Sequence, residues 1–225
     1  MSERGDAPAP TVMPLDRERW AEELHLSNFI NTYYQVRDVQ SLPAVRRILV
    51  VGPGQGLDTA VLRWRGYEVT TVDIDPTFRP DHVASVHEMR MFGDAHFDAV
   101  IASHVIEHLA VPYLEPSLAE IARVGRFALI YLPVTGRHCH VRFMPGVRSI
   151  DFSILIDVFN WFEKPDGLTP RYCQRQHFWE IGRRGWKVKD VMARFATYFD
   201  VLRTYRNVDW NSSHNFVLRS KGRNG

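Results

Sequence analysis

The stretch Gly52-Pro53-Gly54-Gln55-Gly56 follows a short apolar run, Ile48 to Val51, and leads into residues with helical spacing. A glycine-rich turn between a buried strand and a helix lets a ligand approach the backbone closely, and the helix N-terminus adds oriented N–H groups. Asp73 comes 21 residues after Gly52, at the end of the next apolar run, about where an acidic side chain accepts hydrogen bonds from ribose hydroxyls. Loop and acid together point to an adenosine-containing ligand. Nicotinamide enzymes use G-x-G-x-x-G/A, whose third small residue lets the helix pack against the sheet. Here that position is Leu57.

A second constellation is His104, Glu107 and His108, an H-x-x-E-H run, with His138, His140 and His177 available from later segments. Histidine titrates near neutral pH and suits proton transfer in a reaction centre. Acid and imidazole together are also a metal donor set, but Glu107 and His108 equally serve to cap or pack a turn, and no metal site is expected. Cys139, His140, Cys173 and His177 can be drawn as a zinc quartet, yet the long stretch between the two pairs does not impose tetrahedral closure.

The elements that must position these residues alternate. Strands are expected at Ile48 to Val51, Glu68 to Val72, weakly at His82 to Val86, at Asp98 to Ala102 and at Phe127 to Leu132. Between them, Leu57, Ala60, Val61 and Trp64 make one helical stripe closed by Gly66, and Leu114, Leu118, Ile121 and Ala122 another ended by Gly125. Such alternation implies a parallel sheet covered on both faces. Residues 134–170 do not repeat the unit and read as an insertion, with Phe152, Leu155, Ile156, Phe159 and Trp161 spaced for a short helix. Helical segments are expected near Gln176 to Arg184 and Val188 to Phe195. Two final strands, Phe199 to Tyr205 and His214 to Arg219, lie too close for a crossover helix and should pair antiparallel. Residues 1–14 carry Pro8, Pro10 and Pro14 and read as a disordered tail; 15–42 form a helical lead with Asp16 as N-cap candidate; 43–225 form the main domain.

Composition narrows the function classes. With 28 basic against 26 acidic residues in 225, no broad cationic field exists to hold a phosphate backbone, so nucleic acid is not expected as a partner. The longest apolar runs, such as Phe127 to Leu132, fall far short of the roughly 20 residues of a spanning helix. The N-terminus lacks a signal-like apolar stretch and there are only two cysteines, so a reducing cytoplasm is expected.

The G-x-G-x-G loop and the closely spaced C-terminal strands resemble those of the class I S-adenosylmethionine-dependent methyltransferases. The resemblance runs from about Arg47 to Leu218 and rests on ILVVGPGQG, EVTTVDID, FDAVIASHVIEHL and FALIYLP. FDAVIASHVIEHL is particularly similar to the small-molecule subgroup. The resemblance implies an α/β, Rossmann-like fold: a seven-stranded, mostly parallel sheet with an antiparallel last strand and helices on both faces. It implies S-adenosylmethionine as cofactor, with Gly52, Gly54 and Gly56 at its methionine and ribose, Asp73 at the ribose hydroxyls and Ile74 beside the adenine. Ser85 and Val86 fall where many relatives present an acid to the adenine amine, and Ser103 with His104 line the site. Two departures stand out: Val50 replaces a frequent acid, and the adenine-side acid is missing. A subset of the family holds a divalent metal near the cofactor, but with an acid where this chain has His104. The turn after the fourth strand lacks the Asn-Pro-Pro-aromatic signature of many nitrogen methylators. O-methylation of a small molecule or a glycan or lipid intermediate is therefore expected, with His104 as candidate base. The acceptor is expected to meet the N-terminal helices and residues 134–180, where His177-Phe178-Trp179-Glu180 could fill a pocket. The rivals are a methyltransferase-fold scaffold without activity and a nucleotide-dependent oxidoreductase.

Overall fold

The computed structural model describes residues 25–145, 150–156, 164–173, 176–210 and 212–222. Trp20, the Asp16 N-cap, the proline-rich tail, Phe159 and Trp161 lie outside them. Helix α1 (Leu26–Gln40) leads into β1 (Arg47–Val51), α2 (Leu57–Trp64), β2 (Glu68–Asp73), β3 (His82–Val83) and β4 (Phe97–Ser103). Then come α3 (Leu114–Val124), β5 (Gly125–Pro133), β6 (Arg137–Phe143), β7 (Ile150–Ile156), α4 (Val188–Phe195), β8 (Phe199–Arg206) and β9 (Ser213–Ser220). Seven strands form one sheet in the order β3-β2-β1-β4-β5-β9-β8. The first five run parallel, and β9 is antiparallel to both β5 and β8.

The central strands are nearly continuous apolar runs because both their faces are covered. Leu49, Val51, Val100, Ala102, Ala128 and Ile130 point to one face, under Leu118 and Ile121 of α3 and Val191 and Phe195 of α4. Their alternates Ile48, Val50, Ile101, Leu129 and Tyr131 point to the other, under Tyr34 and Val39 of α1 and Leu62 of α2. Val50, where relatives often carry an acid, is thus a core residue, and a carboxylate there would be buried in an apolar layer.

Three local expectations are corrected. On α2 the buried residues are Thr59 and Leu62, while Trp64 is 79% exposed, because the glycine loop sets the helix rotation and aims Leu62 at the sheet. Phe152, Leu155 and Ile156 belong to β7, which pairs antiparallel with β6 (Val141↔Phe152, His138↔Leu155). The β-branched and aromatic content of IDFSILI suits a strand, and a partner strand decides between the two periods. Residues 176–184 are not a helix. Their backbone bonds go outward, Phe178 N–H to the Glu107 carbonyl at 2.9 Å and Ile181 N–H to Pro133 at 3.1 Å, and Gly182 turns the chain at φ +106°.

One buried carboxylate clamps α1 to the sheet. The hydroxyls of Tyr131 on β5 and Tyr205 on β8 donate to Asp38 Oδ2 at 2.8 and 2.5 Å, and Arg203 donates to Oδ1 at 2.6 Å. Arg37 completes the shell at 2.9 Å. Removing the acceptor strands buried donors, so Asp38→Ala should lower the unfolding free energy by about 3–5 kcal/mol. Tyr131→Phe, which deletes one bond, should cost about 1 kcal/mol; urea melts that rank these two the other way contradict this clamp.

A pH effect follows from His214 on β9, which meets Thr204 at 2.7 Å, the Phe216 ring and the Arg206 charge. Burial, with Arg206, pushes its pKa down to about 4. Between about pH 6.5, where the unfolded residue titrates, and pH 4 the unfolded chain holds the extra proton, so stability falls as pH falls through that window. His214→Gln should flatten this part of the stability profile, measured as urea midpoints from pH 7 to 4.

Candidate active site

The two strands at the centre of the sheet, β1 and β4, end side by side, with Val51 in register with Ala102. Ligands bind at such a carboxyl edge, where strand order reverses. The chain leaves β1 through Gly52, Gly54 and Gly56, at φ +67°, +51° and +73°, a left-handed run that favours glycine at each step. Gly52 N–H is tied to the Val72 carbonyl at 2.8 Å, which sets the loop beside the end of β2. A Cβ on Gly52 would lie 2.5 Å from Val105 Cγ2, so the loop rests directly on the turn after β4.

That turn carries His104, a non-glycine residue at φ +55°. Its backbone N–H donates to the Tyr131 carbonyl at 2.9 Å, and this bond to β5 holds the uncommon conformation. The imidazole lies between two acceptors: Nε2 is 3.2 Å from Ser213 Oγ and Nδ1 is 3.5 Å from Glu107 Oε1. Ser213 gives its own proton to Asn215 Oδ1 at 2.8 Å, which leaves its lone pairs for the histidine. The ring also packs against Trp210, centroids 4.9 Å apart. Asn215 in turn donates to the Tyr205 hydroxyl at 3.0 Å, so a chain of hydrogen bonds joins His104 to the Asp38 clamp.

An open cleft lies between this turn, the glycine loop and α1. Gly52, Gly54, Gly56, Ser103 and His104 all line it, and the fold brings these five expected residues together. Asp73, Ile74, Ser85 and Val86 are not in its lining. Asp73 ends β2, its Oδ1 accepting from Asp75 N–H at 2.8 Å, and Ile74 beyond it is 42% exposed. The Ser85 hydroxyl meets His87 Nδ1 at 2.6 Å, and the Val86 side chain is buried in the core. The cleft roof was not foreseen. Asn31 donates to Ser103 Oγ at 2.6 Å, and Gln35 to Asp58, whose carboxyl is pushed up by burial despite bonds from Thr59 and Gln35. Asn31 Oδ1 and Gln35 Oε1 are buried and accept no hydrogen bond among the described residues. The signal missed in the sequence was polar spacing: Asn28, Asn31 and Gln35 recur at three and four residues along α1.

Two residues of the run expected to fill a pocket go elsewhere. Phe178 and Trp179 are core, Trp179 stacking on Trp186 with centroids 4.5 Å apart. Tyr33 is exposed and Tyr34 is buried, its hydroxyl bonded to Asp209 at 2.7 Å. The β6–β7 hairpin meets the same loop through an Arg142–Asp209 ion pair, next to Trp210.

Residues 49–127, which contain the glycine loop, Asp73 and His104, match the family model described as methyltransferase domain. Over this stretch the chain is similar to a methyltransferase domain. No curated protein gives a significant match. Among solved structures, the PH0226 protein from Pyrococcus horikoshii is similar over 89% of this chain and 93% of its own, at 15% identity and TM-score 0.57. A TehB-like methyltransferase from Corynebacterium glutamicum is 17% identical over 91% of this chain and 98% of its own, TM-score 0.54. The 1,6-didemethyltoxoflavin-N1-methyltransferase of Burkholderia thailandensis, solved with its substrate and S-adenosylhomocysteine, is 17% identical over 94% of each chain, TM-score 0.51. These likenesses establish the fold. Among the described residues, no helix is long and apolar enough to cross a membrane.

The loop geometry makes a direct prediction. Gly52→Ala combines the left-handed φ with the Val105 contact and should destabilise the protein by about 1–3 kcal/mol. Val105→Ala in the same chain should recover the steric part and leave the backbone part. Two variants whose urea-melt effects simply add would show that Gly52 does not rest on Val105.

Proposed function

We propose that this protein moves a methyl group from S-adenosylmethionine to a hydroxyl of a small molecule or of a glycan or lipid intermediate, with His104 taking the hydroxyl proton. The observation that carries the reading is the placement of His104: in the cleft, in a strained conformation, with the Glu107 carboxylate 3.5 Å from Nδ1 and the Ser213 hydroxyl 3.2 Å from Nε2. When bound, the cofactor supplies a methyl on a positively charged sulfur; the carbon–sulfur bond breaks as the carbon–oxygen bond forms, and sulfur keeps the electron pair. Gly52, Gly54 and Gly56 bring backbone to the methionine and ribose, Asp73 accepts from the ribose hydroxyls, and Ile74, Ser85, Val86 and Ser103 flank the remainder. Asn31 Oδ1 and Gln35 Oε1, without a hydrogen-bond partner among the described residues, suit the ammonium of the methionine part, which needs acceptors.

The acceptor hydroxyl displaces the long Ser213 contact at Nε2, and Glu107 steadies the imidazolium from Nδ1, the division of labour of a histidine–carboxylate pair. The protein otherwise aligns the reactants and excludes water. Phe143, Met144 and Ile150 form an exposed apolar end on the β6–β7 hairpin, which favours an acceptor with an apolar part. The near-balance of charge favours a small acceptor over nucleic acid, and the exposed free thiols of Cys139 and Cys173 suit a reducing cytoplasm. Residues 43–225 act as the catalytic unit in this reading, with 15–42 roofing the cleft and 134–170 as an acceptor-side addition.

Calorimetry should show S-adenosylmethionine and S-adenosylhomocysteine binding, no NADH binding, and a loss of roughly tenfold or more in affinity in Asp73→Ala, the scale of a charge-assisted bond. His104→Gln should keep S-adenosylhomocysteine affinity yet slow methyl transfer to the acceptor, isolated from extract with methyl-labelled cofactor, by about 10²–10⁴-fold. Binding of NADH in place of the sulfur nucleosides would make the protein an oxidoreductase. Binding of none would make it a scaffold.

A further inference from the structure

Glu107 lies in the single turn Ile106–His108 after β4, with a fully buried side chain. Neither of its oxygens accepts a hydrogen bond among the described residues. A buried carboxylate without hydrogen bonds is costly unless other charge compensates it. What surrounds it is imidazole. His108 and His177 approach so that one ligand atom from each of the three residues lies within 4.8 Å of the others, and the two rings meet edge to face with centroids 4.6 Å apart. The Phe178 N–H bond to the Glu107 carbonyl, 2.9 Å, fixes the two segments against each other.

The outer contacts of the histidines are those of ligands. His177 Nδ1 is 2.9 Å from Glu180 Oε1, and Glu180 is itself paired with Arg183 at 3.5 Å, so a carboxylate holds one ring nitrogen of His177. The His108 ring bonds to the Gln176 backbone. A metal-binding histidine usually has its second nitrogen held in this way by a carboxylate or a carbonyl.

The geometry points to a metal site: we infer that Glu107, His108 and His177 bind a divalent transition ion, with zinc the best match to two imidazoles and one carboxylate. Ligand atoms about 2.1 Å from zinc stand about 3.4 Å apart in a tetrahedron, so the three side chains draw inward by rotation on binding. The exposed Cys173 thiol, which faces His177, is the nearest candidate for a fourth position. Glu107 has two oxygens and can serve His104 with one and the ion with the other. The ion therefore ties the turn that carries His104 to the segment 176–180. This inference is independent of which acceptor is methylated.

The test uses untagged full-length protein, stripped with chelator and titrated with Co²⁺ and then Zn²⁺. One equivalent of cobalt should bind with visible absorption bands, and zinc should displace it. Glu107→Gln and His177→Gln should each lose roughly tenfold or more in metal affinity, the scale of losing one ligand or its support. His138→Gln, on the β6–β7 hairpin, should bind as wild type. S-adenosylhomocysteine binding by each variant reports that it is folded. Wild-type protein that takes up no stoichiometric metal would overturn the site and leave a histidine–glutamate ion cluster in its place, and so would unchanged binding in both ligand variants. Because the wild-type titration stands alone, an unfolded variant does not blur the answer.

Discussion

Everything at the carboxyl edge of this sheet depends on two chain segments touching without a side chain between them. Gly52 closes β1 against Val105, the residue after His104, at a distance that no Cβ tolerates. Parallel pairing of β1 with β4 brings the two strand ends level, and the missing Cβ lets the loops that follow come into contact. From that contact come the depth of the cleft, the left-handed His104 and the position of Glu107 three residues further on. The central strands can be held so rigidly because both faces are buried, so the edge is a fixed surface on which loops are placed.

Two buried carboxylates divide the labour around this edge. Asp38 is saturated by two tyrosines and two arginines and serves to fasten α1 over the sheet. Glu107 is equally buried and has no hydrogen bond of its own among the described residues. A fully satisfied buried group stabilises one arrangement, whereas an unsatisfied one keeps capacity for a proton, an ion or a ligand. The two are linked through Tyr205, Asn215, Ser213 and His104, so a change at the clamp reaches the cleft by contiguous hydrogen bonds.

The sheet was legible in the sequence because each central strand is a run of apolar residues bounded by Gly, Pro or a polar turn, as in ILVV before Gly52 and FALIYL before Pro133. The glycine loop and His104 were legible because local chain order alone sets them at strand ends. The helix expected to start at Phe152 gives way to a strand over Phe152 to Ile156 because a short apolar run fits two periods, and only the pairing of β7 with β6 selects one. The helix expected at Gln176 failed for a different reason. Its backbone is satisfied by Glu107 and Pro133, residues more than forty positions away, and no local pattern carries that information. Non-local contact also hid the cleft roof and the meeting of Glu107 with His177.

The central claim is that the cofactor lies across the ends of β1, β2 and β4. Hydrogen exchange of the full chain with and without S-adenosylhomocysteine, resolved by peptide mass, locates the ligand most directly. The account predicts slowed exchange in peptides covering 50–60, 70–76 and 102–106, with the 137–143 strand unchanged. Protection confined to other segments, or none at these three under saturating ligand, would contradict it.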